Sequence, residues 1–581
     1  MTDPRHIGRV KHVLGATVTV ELDEDLAGTS PIVAGRLQAI GQVGSIVRIP
    51  QGPVSLLASV TLVGIAELTR PLTPAQNSDV GNRWLQVQLL GEVTPLGEFR
   101  RGVSTYPALD DPVFLVLAEE LLAVFPPAGG HRVRLGHIVA SGGVEIAVDA
   151  AALVMRHGAI VGSTGSGKSS SVSLLVQRMA AAWPAANIVI VDPHGEYGPA
   201  LENLASVRKV AAEKDADRLH VPYWALPAHD LLTVLSGRIE GANTTPRFAE
   251  LVAQSRRTFA EKAKWVSMPP EAIGPDTPIP FDIRQVWFKL DSENRATVSV
   301  KNDESTEQVE TLGVPRTLTS NVYKPYGMGS AAPFQGPRWQ HYGTTPDRIR
   351  LKLKDPRLSF LLAPLDEEAT NADPLPGLGS DWLGGDRPVS VLDFSGVPSE
   401  ASDLAIGLIV RMLFEIALRS REDGIGRSRP VYIVLEEAHR YLGEAATVRM
   451  AREAVNRVAR EGRKHGVGLL LVTQRPSELP ETALSQVGTI IALRLTNGGD
   501  QSTVRAALPD SVSGLADALP SLRTGEAILS GESVPLPVRV VIDRPDPEPR
   551  ASDPTLEGWA PPARRNDVTA AVERWRAEEG A

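Results

Sequence analysis

The chain has 581 residues, of which 42% are hydrophobic and 22% are charged, a composition typical of a folded protein with roughly three or four structural units. It contains no cysteine, which excludes disulfide bonds, zinc sites built on cysteine and thiol catalysis. The net charge of -9 excludes a surface that is basic everywhere, but it does not exclude a nucleic-acid partner, because a ring with a positive channel can be acidic overall.

The chain carries no signal for secretion or membrane insertion. Its first residues, MTDPRHIGRVK, lack the apolar core of a secretory signal. A bilayer requires roughly twenty consecutive apolar residues, and the longest apolar run, at 54–65, is interrupted by Ser55, Ser59 and Thr61. We therefore predict a cytoplasmic protein without a membrane partner.

Short alternating runs rich in β-branched residues fill residues 7–93, among them ATVTVEL, SLLASVTLVGI and RWLQVQLLGEV. Several strands at this spacing predict a small antiparallel β-barrel, which we place in residues 1–100. Residues 101–150 are predicted to connect this barrel to the next domain.

The stretch that most constrains the function is GSTGSGKSS, which follows the apolar run GAIV and precedes a helical pattern. Such a loop binds phosphates when its glycines let backbone N–H groups point inward and a helix N-terminus lies behind them. Lys168 is then placed to reach the β- and γ-phosphates of a nucleotide, and the Ser169 hydroxyl to hold Mg2+. The predicted nucleotide-binding residues are Gly162, Ser163, Thr164, Gly165, Ser166, Gly167, Lys168, Ser169 and Ser170.

Two segments beside this loop supply further candidates. The run NIVIVD ends in Asp192 and is followed by PHGEYG, so Asp192 and Glu196 are expected on the ligand edge of a parallel sheet. Capping of the following turn is the alternative role of Asp192. Arg156 precedes the loop and is predicted to face a nucleotide at the sheet edge, with a solvated loop arginine as the alternative.

The rhythm of strands and helices is lost between 241 and 380, where helical spacing at 246–264, 281–290 and 347–362 is separated by spans rich in proline and glycine. Apolar runs typical of buried parallel strands then return, namely VSVLD, VYIVL, GLLLVT and TIIALR. We predict an α/β fold with a doubly wound core at 151–240 and 381–533. A partly helical insertion at 241–380 projects from it, and a C-terminal tail at 534–581 ends in a short helix that straps onto a neighbour.

Polar side chains follow two of these later strands. VYIVL leads into Glu436 and Glu437, and hydrolysis beside a phosphate loop needs one carboxylate for Mg2+ and another for the attacking water. We assign Glu436 mainly to the metal and Glu437 to the water, with the two roles interchangeable, and regard His439 as structural. Gln474 is placed to sense the γ-phosphate, with a plain turn residue as the alternative.

Between these strands, the segment from Val448 to Lys464 predicts a helix with one apolar and one cationic face. At about 100° per residue, five arginines fall within an arc of roughly 140°. They are Arg449, Arg452, Arg457, Arg460 and Arg463. Such a stripe is usually a solvated face, but this helix starts beside the acid pair and ends beside the strand of Gln474. We therefore predict that Arg460 or Arg463 reaches the ATP of a neighbouring subunit, or a phosphate backbone.

Five segments together resemble the HerA branch of the HerA-FtsK ATPases: GSTGSGKSS, VDPHGEY, VLEEAHRYL, AREGRKHGVGLLLVTQRPSELP and LRLTN. The resemblance covers nearly the whole chain except the insertion and the tail. It implies a RecA-like P-loop ATPase core behind a HAS-type barrel. By position, Lys168 and Ser169 match Walker A, Glu436 and Glu437 match Walker B, and Gln474 matches the sensor.

The resemblance also implies partners. Members form homohexameric rings that use ATP and Mg2+ to translocate double-stranded DNA, with arginines matching Arg156 and the stretch from Arg460 to Arg463 acting on nucleotide in the ring. A separate nuclease of the NurA type, or a sirtuin-type effector, is the implied partner in DNA end processing or antiphage defence. The segment RGVSTYPALDDPVF is more similar to bacterial than to archaeal members.

Two other functions remain open at this stage. The chain would be an assembly scaffold if ATP were structural and the ring mainly activated a bound nuclease, although a binding-only site has no need for a water-orienting carboxylate. It would be a small-molecule kinase if it phosphorylated an acceptor, but no acceptor pocket or lid motif is visible, and the barrel would have no purpose.

Overall fold

The computed structural model describes residues 3–576 apart from 4, 24–31, 34–35, 38–41, 66–82, 140–142, 211, 213, 328–330, 366, 444–448, 510–512, 551–567, 570 and 574–575. Among the helices in this described part, we find none with the length and hydrophobicity needed to cross a lipid bilayer. Most of the predicted C-terminal helix lies outside the described residues.

The N-terminal part of the chain forms a closed antiparallel β-barrel. The strands of this part of the chain are β1 (His6–Leu14), β2 (Thr17–Leu22), β3 (Ile32–Val33), β4 (Arg36–Leu37), β5 (Ile46–Gln51), β6 (Val54–Ile65), β7 (Arg83–Val93), β8 (Phe99–Arg101) and β9 (Pro112–Leu115), of which β3 and β4 pair only with each other. Six strands follow the order β2-β1-β9-β5-β6-β7, and a pairing of β2 with β7 closes the ring. Alternate side chains such as Val10, Val18 and Val87 fill its own core, so the predicted barrel is confirmed.

The remaining strands build one large sheet and two small hairpins. They are β10 (Arg132–Ile138), β11 (Glu145–Asp149), β12 (Gly158–Val161), β13 (Asn187–Asp192), β14 (Ala205–Lys209), β15 (Thr297–Val298), β16 (Val309–Thr311), β17 (Val322–Tyr323), β18 (Phe334–Gln335), β19 (Val389–Asp393), β20 (Val431–Leu435), β21 (Val467–Thr473), β22 (Thr489–Leu493), β23 (Glu526–Gly531) and β24 (Val538–Ile542). The large sheet has the order β11-β10-β24-β23-β22-β12-β21-β20-β13-β19-β14. From β22 to β14 all neighbours are parallel, and the strands beyond β22 are antiparallel.

Helices cover both faces of this sheet. They are α1 (Ala118–Val124), α2 (Ala150–Met155), α3 (Lys168–Ala182), α4 (Tyr197–Ala200), α5 (Ala228–Ser236), α6 (Thr244–Ala260), α7 (Ile283–Arg295), α8 (Thr345–Leu353), α9 (Ser359–Leu362), α10 (Leu375–Trp382), α11 (Ser399–Arg419), α12 (His439–Leu442), α13 (Arg449–His465), α14 (Glu481–Ser485), α15 (Gly498–Ala507) and α16 (Ser513–Ala516). On β20, Ile433 and Leu435 join the core that holds α11 and α13, while Tyr432 and Val434 join the core that holds α3. The predicted doubly wound α/β fold is therefore confirmed.

Two regions differ from the predicted boundaries. β9, β10 and β11 lie in the predicted connector, and β24 lies in the predicted tail, although all four are strands of the barrel or of the large sheet. The prediction was wrong there because strands of four to seven residues are hard to distinguish from loops by their hydrophobic pattern alone.

The insertion is also less separate than predicted. Its helices lie close to the expected spans, but Phe248 of α6, Trp287 of α7 and Ile349 of α8 are buried in the same core as Leu404 and Ile409 of α11. The short strand pairs β15–β18 and β16–β17 interrupt these helices, and Leu318 between β16 and β17 joins the same core. The expectation that the whole insertion projects from the core was therefore wrong, because its helices need the apolar surface of α11 to cover their own.

A glycine on β21 sets how closely α2 approaches the sheet. A Cβ atom at Gly468 would lie 2.0 Å from the carbonyl oxygen of Val154 at the end of α2. We expect Gly468→Ala to force the helix away from the strand and to reduce stability by about 1–3 kcal/mol, seen as a lower midpoint of thermal unfolding. Gly241→Ala is the control, because a Cβ at this exposed position meets no atom within 4 Å. Equal midpoints for the two variants would contradict the argument.

Candidate functional site

The phosphate loop lies between the carboxyl ends of β21 and β22. The Gly162 N–H donates to the carbonyl of Thr473, which ends β21, and the Ser163 N–H donates to the carbonyl of Arg494, which follows β22. Gly167 begins the turn into α3 with a φ of 103°, a left-handed conformation that favours glycine. The loop thus ends at the N-terminus of a 15-residue helix, as an anion site requires.

The two residues after Gly167 differ in environment. Lys168 is 8% exposed, and its ammonium lies 3.4 Å from the carbonyl oxygen of Ser163 within the loop. The Ser169 hydroxyl donates a 2.7 Å hydrogen bond to Oε2 of Glu196. Glu196, a sequence candidate, is therefore in direct contact with the predicted metal ligand.

Asp192 occupies the end of β13 but is turned into the protein. Its carboxylate accepts backbone N–H groups from His194 at 3.1 Å, Gly195 at 2.8 Å and Tyr197 at 3.0 Å. Burial raises the pKa of Asp192 against the effect of these hydrogen bonds. The structure thus gives Asp192 the capping role that the sequence left as its alternative, and corrects its assignment as a nucleotide ligand.

Glu436 is the more buried member of the acid pair. It is 3% exposed, and its Oε2 atom has no hydrogen-bond partner among the described residues. Burial, and then the charge of Glu437, raise the pKa of Glu436 to about 8. A buried carboxyl with an unused oxygen fits a place beside a cation, whose charge would favour the ionised form.

Glu437 is held differently. Its φ of 50° lies in the left-handed region, which is uncommon for a residue other than glycine and ends the strand geometry of β20. Burial would raise the pKa of Glu437, but contact with His439, together with the charges of Lys168 and His194, outweighs burial and lowers the pKa. Nδ1 of His439 lies 3.1 Å from Oε2 of Glu437 and 3.1 Å from the Thr473 hydroxyl. His439, expected to be structural, therefore holds the charged member of the pair.

Gln474 lies beside the phosphate loop, where the sequence predicted it. Its side-chain oxygen accepts a 2.7 Å hydrogen bond from the hydroxyl of Thr164, which is exposed at the tip of the loop. This contact joins the end of β21 to the loop that would surround a phosphate.

Arg156 lies at the opposite edge of the sheet from the phosphate loop of its own chain. It precedes β12, and its carbonyl accepts the N–H of Gly488, which directly precedes β22. Its guanidinium pairs with Glu532 at 3.3 Å. The expectation that Arg156 stands at the nucleotide edge is wrong for the same subunit, because a residue before a parallel strand lies at its amino end.

The arginine helix α13 ends at that same opposite edge. A Cβ at Gly462 would lie 2.3 Å from the carbonyl oxygen of Val467, the first residue of β21, and the His157 ring lies 3.1 Å from the carbonyl oxygen of Ala459. At 3.3 Å per residue, β21 separates this point from Thr473 by roughly 20 Å. The helix thus ends at the start of the Gln474 strand, not beside Gln474.

The arginines of α13 differ in how they are held. Arg457 pairs with Glu415 at 2.6 Å and lies over the ring of Phe414 at 4.9 Å, so it is fixed to α11. Arg460 and Arg463 are exposed; Arg463 makes no hydrogen bond or ion pair with any described residue, and Arg460 bonds only the carbonyl of Asn456. The side chain of Arg449 lies outside the described residues. The apolar face predicted for this helix is confirmed by burial of Val455 and Val458.

Sequence reasoning missed the turn before β23. The Thr524 hydroxyl donates to the carbonyl of Gly165 at 3.3 Å, and the Gly525 N–H donates to the carbonyl of Ser166 at 3.0 Å. These bonds tie the antiparallel part of the sheet to the phosphate loop. No motif marks the turn, because a threonine and a glycine are ordinary turn residues.

Because the pKa values of Glu436 and Glu437 are shifted in opposite directions, we predict that the stability of the nucleotide-free protein depends on pH. The pKa of Glu436 is about 8 in the folded chain against a usual 4.5, so the folded state loses stability as the pH rises through this interval. Glu436→Gln removes this loss. We expect its stability relative to the parent to grow between about pH 5 and pH 8, by at most about 1.4 kcal/mol per pH unit, and then to level off.

Urea denaturation at several pH values measures this difference. Glu437→Gln is the matched control: because contact with His439 lowers the pKa of Glu437, its charge stabilises the fold, and its loss is expected to destabilise the protein. Parallel stability profiles for Glu436→Gln and the parent would contradict the assignment of the raised pKa.

Comparison with known proteins agrees with the resemblance. Residues 133–313 match the model of the helicase HerA central domain, and residues 408–555 match the model of the helicase HerA-like C-terminal domain. Together these two matches cover more than half of the chain.

Individual relatives span most of the chain. It is 29% identical over 477 residues to a DNA double-strand break repair helicase HerA of Sulfolobus acidocaldarius, covering 81% of this chain and 80% of that protein. It is 25% identical over 460 residues to the protein of the same name from Pyrococcus furiosus, covering 76% and 73%. Among solved structures it is similar to VirB4 of Thermoanaerobacter pseudethanolicus, at 12% identity with a TM-score of 0.46, covering 72% of this chain and 97% of that chain. The predicted family and enzyme class are confirmed, and this chain belongs to the HerA family of P-loop ATPases.

Proposed function

We propose that the chain binds ATP with Mg2+ and hydrolyses it to move along double-stranded DNA. The observation that carries the proposal is the distribution of charge on one sheet. The phosphate loop, Glu436 and Glu437 share one edge, while Arg156 and the end of α13 lie at the other. The relatives are named as DNA double-strand break repair helicases, which supports DNA as the track.

The residues present fit a magnesium ion. Ser169 and Glu436 would hold it: Oε2 of Glu436 and Oε2 of Glu437 are both buried without a hydrogen-bond partner among the described residues, but that of Glu437 lies beside His439. The bound ion would offset the charge on the phosphates and polarise them. Lys168 would contact the β- and γ-phosphates, and Gln474 would hydrogen-bond the γ-phosphate or water.

Glu437 would orient or deprotonate the attacking water. Its lowered pKa keeps it charged at neutral pH, as a proton acceptor requires, and His439 fixes its position. Glu437 is also the less buried of the pair, at 9% exposed against 3% for Glu436.

Glu437→Gln tests this division of roles. We expect it to bind ATP as tightly as the parent and to hydrolyse it about 10²–10⁴-fold more slowly, because only the water-activating charge is lost. Lys168→Ala is expected to lose nucleotide affinity itself. Binding is measured with a fluorescent ATP analogue, and hydrolysis by phosphate release. A Glu437→Gln variant with normal turnover would rule out the proposed role.

We further propose a homohexameric ring in which each site is completed by the next subunit. A chain with acids at one edge and exposed arginines at the other cannot complete its own site across roughly 20 Å, but a head-to-tail contact brings the two edges together. Arg460 and Arg463 are the candidates to contact the neighbour's phosphates, with Arg156 at the same edge. The number six follows from the family resemblance.

Rings that contain two different variants test whether one site is built from residues of two subunits. We expect Arg463→Ala or Arg460→Ala to reduce hydrolysis about 10³–10⁵-fold, because the arginine offsets charge in the transition state. Lys464→Ala, an exposed neighbour on the same helix, is the control. Rings co-assembled from the inactive arginine variant and Glu437→Gln should regain part of the activity, since one subunit supplies the acids and the other the guanidinium. Mixed hexamers without activity would contradict a shared site.

The partner is proposed to be a nuclease of the NurA type or a sirtuin-type effector, acting in DNA end processing or antiphage defence. A ring that only scaffolds this partner is the second candidate. The Glu437→Gln variant separates the two, because a scaffold would still activate its partner without hydrolysis, whereas a translocase would not.

A further inference from the structure

The hydrogen bonds of the Ser169 hydroxyl identify Glu196 as the acceptor of its proton. A serine hydroxyl has one proton and two lone pairs. The Ser169 proton is donated to Oε2 of Glu196 at 2.7 Å, which leaves the two lone pairs as acceptors. The buried Tyr197 hydroxyl also interacts with Ser169 and can occupy one of them, so at least one lone pair stays available. Glu436 does not receive this proton, because its Oε2 has no hydrogen-bond partner and no described hydrogen bond joins the two side chains.

The loop that carries Glu196 is fixed from within. Asp192 accepts three backbone N–H groups from residues 194–197, and Gly195 has a φ of 72°. A Cβ at Gly195 would lie 3.2 Å from Oδ2 of Asp393 at the end of β19. The loop is therefore held between two strand ends, and Glu196 is presented to Ser169 in one orientation.

The C-terminal segment at 546–550 holds the same loop from outside. The Arg550 N–H donates to the carbonyl of Glu196 at 3.2 Å. On α3, the Gln177 side chain donates to the carbonyl of Pro547 at 2.9 Å and accepts the N–H of Asp546 at 3.2 Å. This segment ties the helix that begins with Lys168 to the loop that carries Glu196.

We propose that Glu196 is a positioning residue for the metal of the nucleotide site, which accepts the Ser169 proton and so directs the lone pairs of Ser169 toward Mg2+. This inference rests on the proposed function. Carboxylates that hydrogen-bond a metal ligand orient it and raise its affinity for the metal, and their loss typically costs about 10–100-fold in metal affinity. Asp192 and the segment at 546–550 then serve to place Glu196 rather than to touch nucleotide.

Glu196→Gln tests the inference, because it keeps the size of the side chain and removes its charge. Binding of fluorescent ADP is measured in EDTA and across a magnesium titration, without reference to turnover. We expect unchanged affinity in EDTA and about a 10–100-fold higher magnesium concentration for half-maximal effect. Glu202→Gln, which alters an exposed acid shortly after the same loop, is the control and should match the parent.

The Ser169→Ala background supplies a second measurement. Without the hydroxyl there is no proton for Glu196 to accept, so adding Glu196→Gln to Ser169→Ala should leave the magnesium dependence unchanged. A Glu196→Gln variant with the magnesium dependence of the parent would overturn the inference. So would equal weakening with and without magnesium, which would mean that Glu196 only shapes the loop. If the parent bound no nucleotide, the proposed function would fail before this inference was reached.

Discussion

The constraint on which the structure depends is the parallel direction of the strands from β22 to β14. Because all of them point the same way, whatever follows a strand lies at one edge and whatever precedes it lies at the other. The phosphate loop after β12, the acids after β20 and Gln474 after β21 therefore lie at the same edge of the sheet. The same rule separates Arg156 and the end of α13 from them by the length of a strand. Chain direction alone thus places the phosphate loop and the acids at one edge of the sheet and Arg156 with the end of α13 at the other.

At the edge that carries the acids, local environment distinguishes the two carboxylates. Glu436 and Glu437 are adjacent and chemically identical, so nothing in their sequence distinguishes them. Glu436 ends a strand buried on both faces, where desolvation favours the neutral acid. Glu437 is turned out of the strand by its positive φ and meets His439, which favours the charge. The proposed assignment of Glu436 to the metal and Glu437 to the water, which the sequence left interchangeable, rests on this difference.

Much of this arrangement could be predicted because its signals are local. The phosphate loop is a contiguous motif, and β20 and β21 are continuous, largely apolar runs that are buried throughout. The role of Asp192 could not be predicted, because a carboxylate at a strand end looks the same whether it faces a ligand or its own turn. The position of Arg156 required knowing where β12 begins. The turn at Thr524 and Gly525 comes close to the loop only through pairing of β23 with β22, which is a long-range contact.

The helices of the insertion are connected to the arginine helix α13 by continuous packing. Glu293 on α7 is buried and binds Arg247 of α6 at 3.1 Å, Arg338 at 3.2 Å and the Tyr342 hydroxyl at 2.9 Å, which fixes the chain at 338–342 to two helices. Those helices share a core with α11, and α11 packs directly on α13. Close-packed interiors transmit displacement instead of absorbing it. A displacement of α13 therefore has to move α11 and the helices of the insertion with it, so the insertion is mechanically part of the ATPase core.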